Sequence, residues 1–210
     1  MPEECSLSEA IYNSRAMRRI KPDEVPEDLL LQLIDAARQA PSGSNTQNSR
    51  WIVVRDPDVK QQLADQNRKN TMHHIQAQLD GDLGTAQLSP EKHQRLLNAV
   101  VWQIEHLHEI PALIVACFDY PERVEGIGVY RSAGSVWPGI QNLLLKARAL
   151  GLGASPTTLA LRDQDTVREI LNLPETFAAL ALIPVGYPMG NFGPVVRRPL
   201  SEIMRFDSWD

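Results

Sequence analysis

Between Pro41 and Gln47 the chain reads PSGSNTQ, small residues interleaved with two side-chain amides. Ser42, Gly43 and Ser44 offer backbone amides with little bulk around them, while Asn45 and Gln47 each present a donor and an acceptor. Those groups could read the imide edge of a flat polar ligand. The same residue types also favour turns for local reasons, so the loop taken alone equally suits an ordinary helix-to-strand connection. A second set is cationic: Arg15, Arg18 and Arg19 near one end of the chain, Arg197 and Arg198 near the other. The pattern predicts a first helix over 7–17, with Arg18 just past its end; if helical, Arg15 and Arg18, three apart, share a face. A terminal phosphate carrying about −1.5 to −2 charge would accept charge-assisted bonds from both. The alternative is a pair of solvated surface arginines. A third set, Ser155-Pro156-Thr157-Thr158, leaves a short strand with amides and hydroxyls free to meet a ligand edge, or forms a simple strand-end turn.

Other chemistries are not supported. Gly151-Leu152-Gly153 resembles part of a dinucleotide fingerprint, but Pro156 occupies the third glycine position. The order is also helix, glycines, strand, the reverse of a phosphate-binding loop. No G-x-S-x-G elbow, H-E-x-x-H pair or carboxylate cluster with metal spacing is present. His73, His74, His93, His106 and His108 fall in polar or helix-surface contexts and are read as neither catalytic nor ligating. A net charge of −5 with both signs dispersed argues against a nucleic-acid partner. The only cysteines, Cys5 and Cys117, suggest neither a disulfide framework nor a thiolate metal site, and a reducing cytoplasmic setting is expected. Nothing approaches the roughly 20 apolar residues of a membrane helix, so a soluble protein is expected.

The elements that must position these groups follow from periodicity and punctuation. A helix starts at Pro26, buries Leu30, Leu33, Ile34 and Ala37, and stops at Pro41. Trp51 to Arg55 is a strand. Asp56-Pro57 opens a short helix through about Gln66, and 67–85 is polar and poorly periodic, the character of an insertion. Ser89-Pro90-Glu91 starts a helix whose apolar register is Leu97, Val100, Val101, Ile104 and Leu107. Residues 112–118, ALIVACF, suit a central strand buried on both faces. Ser135 to Leu150 is a long helix with Pro138 in its first turn and Gly151 at its stop, followed by a short strand through Ser155. A small helix over 163–171 and a strand over 178–186 complete the core. The proline-rich tail from Pro188 reads as an extended arm lying on another surface. A chain of 210 residues fits one domain.

Five stretches taken in order, SRAMRR (14–19), APSGSNTQ (40–47), ARALGLG (147–153), PVGYP (184–188) and RRPLSEI (197–203), resemble the FMN-dependent nitroreductase family almost end to end. The resemblance implies one α+β domain over 1–210, a mainly antiparallel sheet flanked by helices. It further implies a variable insertion at about 67–108 and an intertwined homodimer with an exchanged C-terminal arm at about 188–210. It implies FMN at the dimer interface: Arg15 and Arg18, the local backbone of Ala16 and Met17, and Arg197 on the phosphate. Pro41, Ser42, Gly43, Ser44 and Asn45 would come from the other chain. Pro156, Thr157 and Thr158 would line the ring, and Gln47 and Asn70 would complete the set. The implied reaction is ping-pong hydride transfer from NADH or NADPH, through FMN, to a small planar acceptor such as a nitroaromatic or quinone, with no side chain as general acid or base. Other flavin chemistry, such as dehalogenation, enoate reduction or flavin destruction, and a non-catalytic flavin-binding protein remain alternatives. Many relatives carry two arginines and a serine where this chain has Ser14, Arg15 and Ala16, and Pro-Trp where it has Asn48-Ser49.

Overall fold

The computed structural model describes residues 5–79, 89–123 and 133–209. Its centre is a four-stranded, wholly antiparallel sheet in the order β1-β2-β4-β3, formed by Ser49–Val54 (β1), Ala112–Asp119 (β2), Gly153–Ala154 (β3) and Phe177–Gly186 (β4). β2 and β4 are interior strands with both faces covered, so their sequences are continuously apolar rather than alternating. In β4, Leu180 is an extra residue opposite the Ala116/Cys117 step of β2. This bulge turns both Leu180 and Ala181 toward one core layer.

That layer packs helices α2 (Glu27–Arg38) and α5 (Trp137–Ala149) on the Ile114, Ala116 and Ile183 face. The opposite layer packs α3 (Pro57–Leu79), the turn Leu107–Glu109 and α6 (Gln164–Leu171) on Leu113, Val115 and Leu182. Helix α4 (Pro90–His106) starts at an Ncap Ser89 whose hydroxyl accepts the Lys92 amide. Gly151, at φ +75°, ends α5 in the left-handed conformation that glycine adopts without steric cost.

Two expectations need correction. Helix α1 covers only Leu7–Asn13, and Ser14 is already extended, so Arg15 and Arg18 do not share a helical face. Long-range pairing wins over local propensity there. The Met17 amide donates to the Ala154 carbonyl, Ile20 bridges Pro188, and Lys21 donates to Tyr187. Helix α3 does not stop near Gln66 but continues to Leu79. Its buried stripe runs through Leu63, Asn67, Thr71 and Ile75 at helical spacing, and two of those four are polar, which hid the period. Asn67 and Thr71 satisfy one another, with the hydroxyl donating to the amide oxygen at 3.2 Å. The rest of the predicted insertion, 80–88, lies outside the described residues, as do the His73 and His74 side chains.

Candidate functional site

The arginine segment runs beside β3 and is pressed against it. A Cβ at Gly153 would sit 2.9 Å from Met17 Cβ, and one at Gly186 would sit 2.5 Å from Ile20 Cγ2, so both glycines are required for this close approach. Met17 is buried and its amide is committed to Ala154 at 3.2 Å. It therefore anchors the segment and is not a free phosphate donor. Ala16 and Arg15 are exposed, and Arg18 is half-buried. Among the described residues neither Arg15 nor Arg18 has an ion pair or side-chain hydrogen bond. Burial lowers the Arg18 pKa from its usual value because the guanidinium loses hydration without gaining a counterion. Arg197 is exposed, and its guanidinium reaches only the neighbouring Val196 carbonyl, at 3.0 Å. Arg19 is exposed, and its carbonyl accepts the Met189 amide.

The amide loop after Pro41 is held in a costly conformation. Ser44, Asn45 and Gln47 have φ of 51°, 55° and 52°, a left-handed geometry that disfavours residues with a Cβ. Bracing maintains it. The Ser42 hydroxyl accepts the Gln47 amide at 3.1 Å, and the Ser135 hydroxyl, just before α5, accepts the Gly43 amide at 3.2 Å. Arg50 donates to the Gln47 carbonyl at 2.9 Å and pairs with Asp119 at 3.0 Å, while Thr176 donates to the same carboxylate. Asn48 donates to the Asp119 carbonyl. Among the groups left to offer a ligand are the Ser44 amide and the Asn45 side-chain amide, for which no protein partner exists among the described residues. The brace of Arg50, Asp119 and Thr176 was missed by sequence reasoning, because its members are 69 and 57 residues apart.

Pro156 and Thr158 are exposed and Thr157 is half-buried, exchanging backbone hydrogen bonds with Leu182 at 2.8 Å and 2.9 Å. Helix α3 packs directly on the turn Leu159–Leu161 that follows them. On α3, Asn70 Nδ2 is buried without a hydrogen-bond partner among the described residues. Ser155, 2% exposed, accepts a 3.0 Å hydrogen bond from Gln103 of α4. Gln103 was also missed. Its position midway between Val100 and Leu107 in the apolar register of α4 was the available signal.

The predicted residues thus form two groups. Arg15 and Arg18 flank Met17, whose amide is paired with Ala154 of β3, and Pro156 to Thr158 follow that strand, with Thr157 paired to Leu182 farther along β4. The loop Pro41 to Gln47 enters β1 where Ser49 faces Phe118, whereas β3 lies on the opposite edge, at the far end of β4 beside Val185 and Gly186. Three strand spacings separate the edges by about 14 Å, and the strand length adds about 20 Å in the other direction. The arginine segment and the amide loop therefore lie at diagonally opposite corners of the sheet, while Thr157, paired with Leu182, lies on the far edge about midway along β4. Among the described residues, no set of His, Cys, Asp and Glu could hold a metal, and no helix is long and apolar enough to cross a membrane.

An unpaired half-buried arginine, a strained amide loop and an orphaned Asn70 amide are the donors that an anionic, planar, imide-bearing group would satisfy, so the residues present fit FMN. A family model, the nitroreductase family, matches residues 11–187. The chain belongs to the nitroreductase family, a family of flavin oxidoreductases. It is 30% identical to an NADH dehydrogenase of Thermus thermophilus, covering 93% of each chain. It is 29% identical to a putative NADH dehydrogenase/NAD(P)H nitroreductase of Methanothermobacter thermautotrophicus, covering 88% of this chain and 78% of that one. A crystal structure of oxidized iodotyrosine deiodinase bound to FMN and 3-iodo-L-tyrosine superimposes with a TM-score of 0.74 at 23% identity, over 97% of this chain and 100% of that chain.

Proposed function

We propose that this protein is an FMN-dependent oxidoreductase that passes hydride from NADH or NADPH to a small planar electron-poor acceptor, such as a nitroaromatic or a quinone. It works as a homodimer. The observation that carries the reading is Arg18: half-buried, desolvated and without a counterion among the described residues, next to Met17, whose amide is paired with Ala154 two residues before Pro156. A phosphate supplies the missing charge. In this assignment Arg15, Arg18 and Arg197 hold the phosphate with the Ala16 backbone, Pro156, Thr157 and Thr158 meet the ring, and Asn70 donates its orphaned amide. Pro41 to Asn45, with Gln47, come from the second chain, because their own lie at the opposite corner. When bound, FMN supplies the hydride chemistry, accepting from nicotinamide and delivering to the acceptor. The chain's residues bind, orient and exclude water, and none is assigned proton transfer.

Exposed apolar side chains on the tail, Val196, Leu200, Ile203, Phe206 and Trp209, support the dimer, since an arm with that surface is suited to lie against a second chain. Free Cys5 and Cys117 fit a reducing, cytoplasmic setting. Likeness to a deiodinase structure supports a second reading on the same scaffold, reductive dehalogenation. The test is to purify the protein with added FMN, look for a yellow stoichiometric complex, and add NADH or NADPH anaerobically. Bleaching is expected, followed by reoxidation with a nitroaromatic or quinone. Reoxidation by an iodinated tyrosine alone would establish the second reading. A yellow complex that neither nicotinamide bleaches would overturn the nicotinamide-dependent reductase reading.

A further inference from the structure

The stretch Ser155 to Thr157 is pinned on both sides of an exposed proline. On one side the Thr157 backbone is tied to Leu182 in β4 at 2.8 Å and 2.9 Å. On the other, the Ser155 hydroxyl accepts the Gln103 side-chain amide at 3.0 Å. Gln103 and Ser155 are 7% and 2% exposed, so this is a buried polar pair joining residues 52 apart in the chain. Such a pair contributes little net stability, because two apolar groups of the same shape would pack there nearly as well. What an apolar pair lacks is direction. A hydrogen bond fixes the distance and angle between α4 and the start of the Pro156 segment, and proline, with φ locked, transmits that placement to Thr157 without slack.

We infer that Gln103 is a positioning residue: through Ser155 it sets the placement of Pro156 and Thr157 against the flavin ring and couples that placement to α4. The inference rests on the flavin reading above. Gln103 touches neither cofactor nor acceptor in this role, and acts only through the serine hydroxyl. An error of about an ångström in such a support is enough to reduce function by one to two orders of magnitude.

The decisive variant is the pair Gln103→Met with Ser155→Ala, which keeps side-chain volume near native and leaves no buried polar group unsatisfied. It is expected to keep the wild-type melting temperature, yet bind FMN about tenfold more weakly by fluorescence quenching. Without flavin, the Thr157 amide should exchange with deuterium faster than in the wild type. Gln103→Met alone strands the Ser155 hydroxyl and should lose both stability and affinity. If the double variant does not fold, Ser155→Ala, which strands the Gln103 amide and so costs some stability, is read by its FMN affinity and its Thr157 exchange. A stable variant with wild-type FMN affinity and wild-type Thr157 exchange would overturn this inference alone. A wild-type protein that binds no FMN would overturn the flavin reading, and this inference with it.

Discussion

A guanidinium that has lost part of its hydration and gained no carboxylate is an incomplete ion pair, and among the described residues Arg18 is in that state. Charge-assisted hydrogen bonds to a phosphate are each worth about 1.5–3 kcal/mol. Arg18→Ala, Arg15→Ala and Arg197→Ala are each expected to weaken FMN binding by about that amount, measured by flavin fluorescence titration. Unchanged affinity in all three would place the phosphate elsewhere. The loop residues carry the opposite problem, strain without burial. Left-handed backbone costs a residue with a Cβ about 1–2 kcal/mol, from which glycine's greater unfolded-state entropy subtracts roughly half. Ser44→Gly and Gln47→Gly should therefore raise stability by up to about 1 kcal/mol in thermal melts. Flavin affinity should fall in the same variants, because a relaxed loop no longer holds its amides in place. A rise in both properties would show that the strain has no role in binding.

Among the elements, α6 offers a test of how local chemistry supports the scaffold. Its Ncap Asp163 accepts the Thr166 amide at 3.2 Å and the Thr166 hydroxyl at 2.8 Å. Those bonds, chiefly the backbone one, hold the carboxyl below its usual pKa. A carboxyl with a depressed folded value contributes stability above its unfolded pKa, about 3.9, and loses it as pH falls through the folded value. Asp163→Ala should cost about 1 kcal/mol at neutral pH. The gap to wild type should be level above about pH 5 and close progressively below about pH 4. A gap that persisted undiminished at the lowest pH would mean the effect is not capping by the carboxylate.

At the scale of the whole molecule the arginine segment and the amide loop lie at opposite corners of one sheet, so in the proposed assignment one flavin meets both only across two copies of the chain. The tail's root is fixed to its own chain: Arg148 stacks on Phe192 at 4.4 Å to the ring centroid and pairs with Glu9 at 2.7 Å, and the Gly193 amide donates to Asn13. Beyond that clamp the arm is exposed through residue 209 except at Val195. Truncation from Phe192 onward should impair dimerisation, followed by sedimentation or light scattering, and should weaken FMN binding in parallel. A dimeric, fully yellow truncation would show that the arm serves neither purpose.

Several elements were legible in the residues themselves. The stripe Leu30, Leu33, Ile34 and Ala37, the run 112–118 and the glycine stop at Gly151 each express a period or a dihedral that belongs to one short segment, and the structure reproduces all three, with Ile34 half-buried at the margin of its stripe. The order of the five family stretches is equally a property of the chain alone. The length of α3 was not legible, since Asn67 and Thr71 occupy buried helical positions and are polar. Nor was the extended course of Arg15 to Lys21, because its hydrogen bonds go to Ala154, Tyr187 and Met189, more than a hundred residues away. Local sequence reports propensity and punctuation. Only the tertiary pairing of β1, β2, β4 and β3 decides that the amide loop and the arginines lie at opposite corners, and that Gln103 reaches Ser155 at all.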